Sequence, residues 1–177
     1  MPRLLGRGCF GCGTANPAGL GMTFARRSDR VVSQITLADA HMGWDRIAHG
    51  GIVSTVLDEV MAWAVIAMER TFFVTRAMAV TYRRPVPLGV PLMAEGWIVH
   101  REPPRGCSTE ARLLGPGETL LAEARGEMTY LPTERLHMVS PALRDEMREL
   151  FVAMAQLERE LGLERELGLE RELDLEH

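Results

Sequence analysis

Apolar positions recur with two different periods along this chain, and each period predicts a different kind of element. Period-two alternation surrounds a turn at residues 28–29 and returns in four later runs separated by proline- and glycine-rich turns, which predicts six β-strands. Apolar positions at helical spacing predict one helix over about residues 51–70 and a second over about residues 140–161. The four later runs are FVTRAMAVTYRR, VPLMAEGWIVHRE, CSTEARLLG and TLLAEARGEMTYL.

The order of these elements predicts the fold class. Strands joined by short turns must be antiparallel, since parallel strands need long crossover connections. The first helix is apolar on most sides, so it needs a surface that covers most of its circumference. We therefore expect an α+β fold in which one curved antiparallel sheet wraps around one long central helix, followed by a C-terminal helical extension.

The C-terminal residues repeat the motif LERELG every six positions. Six residues turn an α-helix by about 600°, so the leucines of successive repeats point in different directions and form no continuous stripe. We therefore expect residues 1–131 to form the functional domain and residues 132–177 a helical extension, with a repeat tail that is dispensable for activity.

Composition and charge remove several classes of function. All 20 basic residues are arginine, which excludes lysine Schiff-base chemistry and a Walker-type phosphate loop. The net charge of −4 arises in the tail, because residues 158–177 hold eight acidic residues and only three arginines. The rest of the chain is nearly neutral, so no nucleic-acid partner is expected. The N-terminus lacks the apolar core of a signal peptide, and no run approaches the roughly 18–20 apolar residues of a membrane span. A cytoplasmic location without a membrane partner is expected.

The chain has three cysteines, of which Cys9 and Cys12 form a CxxC motif and Cys107 stands alone. A structural zinc site needs about four ligands, and only two can be named from this motif. A redox role would need a thioredoxin-like βαβ context, which the pattern lacks. We therefore expect reduced structural thiols, and neither a metal nor a cofactor.

The first helix carries two adjacent carboxylates, Asp58 and Glu59, in an otherwise apolar segment. A solvated helix face would explain them, but such a face usually carries several charges and this helix has only these two between residues 50 and 68. On a helical wheel four small residues fall within about 60° of Asp58, which is the pattern of a groove for a ligand. A carboxylate in apolar surroundings tends to a raised pKa and can act as a base or a nucleophile. The small residues are Gly51, Ser54, Thr55 and Ala62.

The helix opens with His49, Gly50 and Gly51. The first N–H groups of a helix have no internal partner and lie at the positive end of its dipole, so they can stabilise an oxyanion. Gly50 and Asp58 are eight residues apart, about 12 Å along one helix, which is too far to flank one carbonyl carbon. They could act together only if two copies of the helix lie side by side. The spacing therefore favours a homodimer with shared sites.

The order HMGWDRIAHGGIVSTVLDEVMAWA, then VTRAMAVTYRRPVPLG, then paired strands, resembles the hotdog-fold acyl-CoA thioesterases of the PaaI-like branch. The opening CFGCGTANPAGLGMTF also resembles some bacterial members, and the similarity extends over about residues 9–131. The resemblance implies that Gly50 supplies the oxyanion N–H beside His49, that Asp58 of the partner subunit is the nucleophile or the base, and that Thr75 orients the water or the carboxylate.

The resemblance also implies positions that contact the substrate. Arg83 and Arg84 lie where coenzyme A phosphates are often bound, and because they alternate across a strand, we expect one of them to reach phosphate. Gly51 borders the groove. Trp44 and Met61 are either core residues or part of the lining of an acyl tunnel.

The sequence departs from the family pattern at Gly43. Several branches carry an asparagine six residues before the histidine, where it holds the attacking water. Here that position is glycine, and Asp45 or His41 are the candidates to compensate.

The expected function is hydrolysis of an acyl-CoA thioester to free acid and coenzyme A, by a homodimer that can pair into a homotetramer, and without a metal. Two alternatives remain open. One is a non-catalytic acyl-CoA-binding protein, which the missing asparagine favours. The other is a hotdog dehydratase or hydratase, whose catalytic histidine and acid have a spacing that His41 and Asp58 do not fit well. The identity of the acyl group does not follow from the sequence.

Overall fold

The computed structural model describes residues 1–2 and 6–160. One sheet contains six strands, and two short strands form a separate hairpin before the central helix. The elements in chain order are β1 (Ala25–Arg27), β2 (Arg30–Thr36), β3 (Met42–Trp44), β4 (Ile47–Ala48), α1 (Gly50–Glu69), β5 (Phe73–Tyr82), β6 (Pro91–Glu102), β7 (Gly106–Leu114), β8 (Leu120–Tyr130) and α2 (Pro141–Glu160). The six predicted sheet strands and both predicted helices are confirmed.

The large sheet is antiparallel throughout, in the order β1-β2-β6-β7-β8-β5, and its inner face packs against α1. Nine residues of α1 are buried in that contact. The closest approach is at Gly96 of β6, where a Cβ atom would lie 2.5 Å from the carbonyl oxygen of Val60. The sheet therefore wraps around the helix, and the α+β fold class predicted from the sequence is confirmed.

Helix α1 meets the length and composition criteria of a membrane span, with a mean hydropathy of 1.6 over its most apolar window. The expectation that no segment approaches such a span is thus wrong by this measure. The apolar character of α1 has a different physical reason, because half of that window is buried inside the fold. The helix ends at Arg70, whose backbone adopts the left-handed conformation that closes many helices.

Helix α2 packs its apolar stripe against the rest of the chain, so that Met147, Leu150 and Met154 join the main core. Near its end, Glu158 is only 6% exposed and forms ion pairs with Arg26 and Arg70. These two arginines neutralise a carboxylate that would be costly to bury alone. The six-residue repeat begins at Leu157, and its residues 161–177 lie outside the described residues, so its predicted dispensability for activity stays a prediction.

The sequence DAHMGWDRIAHGG, between the second predicted strand and the first predicted helix, predicts a loop, and the structure differs from that expectation. It contains a short 3-10 turn at residues 39–41 and the hairpin of β3 and β4. Trp44 in this hairpin is 82% exposed, so of the two positions expected for it the core is wrong within one chain, and the lining of an acyl tunnel stays a prediction. The reason is that β3 lies apart from the large sheet, and all three of its residues are exposed.

Candidate functional site

Asp58 lies in the middle of α1, on the side that the sheet leaves partly open. The hydroxyl of Thr75 in β5 donates a hydrogen bond to Asp58 Oδ1 at 3.0 Å. Burial raises the pKa of Asp58, and the hydrogen bond from Thr75 partly opposes that shift by stabilising the carboxylate. The structure thus brings together two of the residues singled out in the sequence, and it leaves the carboxylate poised to accept a proton.

His49 is the N-cap of α1, and its Nδ1 accepts a hydrogen bond from the Gly51 N–H at 2.9 Å. The Gly51 amide is therefore already engaged, so any substrate contact of Gly51 would come from its bare Cα. The Gly50 N–H, by contrast, has no hydrogen-bond acceptor among the described residues. The N-terminus of α1 therefore offers one uncommitted donor, at the position expected for an oxyanion.

Tyr82, at the end of β5, was not singled out from the sequence. Its hydroxyl donates to the Gly50 carbonyl oxygen at 2.9 Å and lies 2.7 Å from the Ser54 hydroxyl, which then donates to it. These bonds tie the first turn of α1 to β5. The sequence shows only that a tyrosine hydroxyl lies at the end of a predicted strand. It does not indicate which distant residues that hydroxyl contacts.

Gly43, where several related branches carry asparagine, has no room for a side chain. A Cβ atom there would lie 2.8 Å from the Cα of His49. Of the two candidates to compensate, His41 uses its Nδ1 to accept from the Ala38 N–H, and Asp45 is exposed with no polar contact among the described residues. The hairpin therefore packs directly on the N-cap instead of presenting a water-binding amide.

The two arginines at the end of β5 are in different states. Arg83 donates to Glu123 Oε1 through Nε at 3.0 Å and Nη2 at 2.5 Å. The side chain of Arg84 is exposed and forms no ion pair with any described residue. Arg84 is consequently the better placed of the two for a phosphate group.

Met61 is fully buried and lies under the sheet, where a Cβ at Gly126 would meet its sulfur at 3.1 Å. Within one chain it is a core residue. Four surface cavities of 170 to 690 Å³ lie elsewhere, and neither Asp58 nor Gly50 lines any of them. Within one chain the partly buried Asp58 and Gly50 therefore lie outside these four cavities.

A second polar cluster forms on the neighbouring side of α1. Glu59 meets the CxxC loop, and the ligand atoms of Cys9, Cys12 and Glu59 all lie within 4.8 Å of one another. Burial raises the pKa of Glu59 and that of the Cys12 thiol. The sequence indicated the two cysteines but gave no signal that Glu59 faces them, because that contact depends on how the N-terminal loop folds back.

Comparison with known proteins places these features in context. The sequence profile of the thioesterase superfamily matches residues 46–103, the segment that contains the N-terminus of α1, Asp58, Thr75 and both arginines. No curated protein sequence matches this chain.

Several solved structures share the fold. A hypothetical thioesterase from Streptococcus pneumoniae, solved with coenzyme A, is 20% identical over 62% of this chain and 87% of its own, with a TM-score of 0.57. The Escherichia coli PaaI protein is 19% identical over 62% of this chain and 83% of its own, also at 0.57. A Streptococcus mutans protein bound to acetyl CoA is 19% identical over 62% of this chain and 88% of its own, with a TM-score of 0.57.

The architecture is thus the hotdog fold, a class in which a curved antiparallel sheet encloses one helix. The predicted resemblance to the hotdog thioesterases of the PaaI-like branch is confirmed, by the superfamily profile for the sequence and by PaaI among the structural neighbours. At the level of the superfamily, these matches support thioester hydrolysis or acyl-CoA binding.

Proposed function

We propose that this protein hydrolyses an acyl-CoA thioester to the free acid and coenzyme A. The observation that carries the proposal is Asp58, a half-buried carboxylate with a raised pKa, held by Thr75 and paired with no cation among the described residues. The superfamily profile over residues 46–103 and the coenzyme A and acetyl CoA named for two structural neighbours support the substrate class.

In the general-base route, the Asp58 carboxylate takes a proton from water while the hydroxide adds to the thioester carbonyl carbon. The resulting oxyanion accepts a hydrogen bond from the Gly50 N–H. Collapse of this intermediate breaks the C–S bond, and the thiolate takes the proton back from Asp58. Water is split between the two products, and the carboxylate is regenerated.

In the nucleophilic route, the Asp58 carboxylate itself attacks the carbonyl carbon and expels the thiolate. Water then hydrolyses the acid anhydride so formed. A single turnover in ¹⁸O-labelled water separates the two routes. In the nucleophilic route, attack of water on the aspartyl carbon of the anhydride places the label in Asp58, where peptide mass spectrometry can locate it. In the general-base route Asp58 takes up no label.

Both routes need Gly50 and Asp58 at one thioester, and we propose that each site combines Gly50 of one subunit with Asp58 of the partner. About 12 Å separates eight residues along one helix, which supports sites shared between two chains. The exposed edge strand β5 also supports association, since an unpaired edge is a ready surface for a second chain. Two such dimers can associate further into a tetramer.

We propose that Arg84 contacts a phosphate of coenzyme A, because its guanidinium is exposed and without an ion pair in the described part of the chain. Arg84→Gln should raise KM and leave kcat nearly unchanged, since the contact lies away from the thioester. Arg83→Gln, next to it but already bound to Glu123, is the matched control.

A thiol-release assay over a panel of acyl-CoA substrates tests the reaction. Turnover that disappears in Asp58→Asn supports hydrolysis. Tight binding of acyl-CoA without turnover would instead support the acyl-CoA-binding alternative, which Gly43 favours because no side chain at that position can hold a water. Loss of a 2-enoyl chromophore without thiol release would support a hydratase.

A further inference from the structure

The N-terminal loop folds back on α1 beside the candidate active site, in a part of the molecule that thioester hydrolysis does not use. Its turn is built by backbone hydrogen bonds, from Gly13 N–H to Cys9 O at 3.0 Å and from Leu20 N–H to Phe10 O at 2.7 Å. Both cysteines of the CxxC motif lie in this turn and face the helix. The thiols are thus held in place by the backbone around them.

The turn is shaped around the side chain of Glu59. Gly11 lies between the two cysteines, and a Cβ there would come within 2.2 Å of the Glu59 Cδ. A Cβ at Gly13 would come within 2.4 Å of the Arg7 carbonyl oxygen, so the chain closes tightly behind the second cysteine. Glycine at position 11 leaves the space that Glu59 occupies, and glycine at position 13 lets the turn close on itself.

We propose that Cys9, Cys12 and Glu59 bind a zinc ion that fixes the N-terminal loop to α1. This inference goes beyond the proposed hydrolysis and does not depend on it. The CxxC spacing is that of known zinc ligand pairs, and a carboxylate from elsewhere in the chain is an accepted third ligand. The proposal assigns a third ligand where the sequence alone supplied two.

The distances between these atoms suit a tetrahedral ion. Zn–S bonds of about 2.3 Å and Zn–O bonds of about 2.0 Å separate a sulfur from an oxygen ligand by about 3.5 Å, and two sulfurs by about 3.8 Å. Cys9 Sγ lies 3.3 Å from Glu59 Oε1, and all three ligand atoms lie within 4.8 Å of one another. Shifts of well under 1 Å at each ligand would complete the geometry.

The charges also suit a dication. Glu59, on α1, has no arginine partner among the described residues, whereas most acidic side chains on the sheet strands form an ion pair with an arginine. Two thiolates and a carboxylate would carry three negative charges, which more than balance the two positive charges of zinc. No further histidine, cysteine or acidic side chain joins the cluster within the described residues, so a water molecule takes the fourth position.

Titration of the reduced, metal-free full-length protein with Co²⁺ tests the proposal. Thiolate-to-cobalt charge-transfer absorption should grow to saturation at one ion per chain, and Zn²⁺ should then remove it by displacement. Cys9→Ser and Cys12→Ser should abolish the band, and Glu59→Gln should weaken cobalt binding by roughly tenfold or more. Cys107→Ser, a buried thiol in β7, and Glu69→Gln, at the end of α1, are the matched controls and should bind normally.

A second measurement uses the unaltered chain and so does not depend on how the variants fold. Bound Zn²⁺ should protect two thiols from alkylation under native conditions, and mass spectrometry should assign them to Cys9 and Cys12. Absence of saturable cobalt binding, or equal alkylation of both thiols with and without zinc, would overturn the proposal. Isolation of the protein with a Cys9–Cys12 disulfide and no bound metal would overturn it as well.

Discussion

Asp58 is a carboxyl group whose ionised form is disfavoured by the fold, and this cost is the clearest functional signal at the scale of single residues. Burial raises its pKa, and the hydrogen bond from Thr75 only partly offsets that rise. A raised pKa makes the carboxylate a stronger base, which favours a role as a general base. The raised pKa of Asp58 therefore has three measurable consequences, for the rate of turnover, for the stability of the fold and for the pH dependence of kcat/KM.

Asp58→Asn should reduce kcat by roughly 10² or more, because the chain then lacks its positioned base or nucleophile. Substrate binding should survive, since the Gly50 N–H and Arg84 are unchanged. Glu69→Gln is the matched control, because Glu69 lies on the same helix and forms an ion pair with Arg101. Equal losses in both variants, measured by thiol release, would show that the effect is not specific to position 58.

The same substitution should stabilise the protein, by on the order of 0.5–2 kcal/mol. The pKa of Asp58 is higher in the folded than in the unfolded chain. At pH values between these two pKa values the folded chain binds more protons than the unfolded chain, so stability falls as pH rises through this range. The gain from Asp58→Asn should therefore appear at neutral pH and vanish below the unfolded pKa of aspartate. Urea unfolding at both pH values measures it, and an equal gain at both would rule out a charge effect.

Thr75→Val should move the acidic limb of the kcat/KM profile to higher pH. The Thr75 hydroxyl lowers the pKa of Asp58, so removing that donor leaves the carboxylate protonated up to a higher pH. Thr81→Val, on the outer face of the same strand opposite Glu123, is the matched control and should leave the profile in place. A limb that stays put or moves to lower pH in Thr75→Val would contradict this account of Asp58.

At the scale of elements, α2 is held to the body by a buried carboxylate as well as by apolar packing. Glu158 forms ion pairs with Arg26 and Arg70 at the end of this helix. Truncation after Glu160 should leave stability and turnover unchanged. Truncation after Leu157 removes this carboxylate and should cost about 2 kcal/mol or more, because the ion pairs with Arg26 and Arg70 are lost and the one with Arg26 is largely shielded from solvent. Equal unfolding midpoints for the two truncated chains would show that the ion pairs contribute nothing.

The elements that the sequence predicted well are those whose signal is local. Periodicity within each segment was enough for α1, α2 and the six sheet strands, because burial on one face determines which positions are apolar. The contact of Thr75 with Asp58 came instead from the family resemblance. No local pattern indicates that Glu59 meets the CxxC loop or that Tyr82 bonds to Gly50, because each contact joins distant parts of the chain.

The segment between β2 and α1 shows the opposite limit. Its polar, glycine-containing sequence predicted a loop, yet residues 42–48 form a hairpin that packs on His49. The pairing there involves only five residues, too few for alternation to be recognised. Trp44 was expected in the core on hydrophobicity alone, and its exposure follows from the position of this hairpin outside the sheet.

At the scale of the whole molecule, the proposed reaction needs a second chain. Asp58 lies in the middle of α1, while the Gly50 donor lies at the start of the same helix. Edge strand β5 carries exposed Val74 and Tyr82 and has a partner on one side only within the described sheet. Association of two chains through this region would cover the exposed edge and could bring each donor to the other chain's carboxylate.

Subunit mixing tests the shared site most directly. Gly50→Pro removes the donor at a position whose backbone accepts proline, because proline suits the first helical position and His49 already has the extended backbone that precedes proline. A Cβ at position 50 would lie 3.3 Å from the Tyr82 hydroxyl oxygen, so the Tyr82 side chain has to shift slightly. Alone, Gly50→Pro and Asp58→Asn chains should both be nearly inactive. Random mixing should restore about a quarter of wild-type activity, since half the dimers are hybrids and each holds one intact site. No recovery, in a mixture in which native mass spectrometry detects the hybrid dimer, would contradict the account.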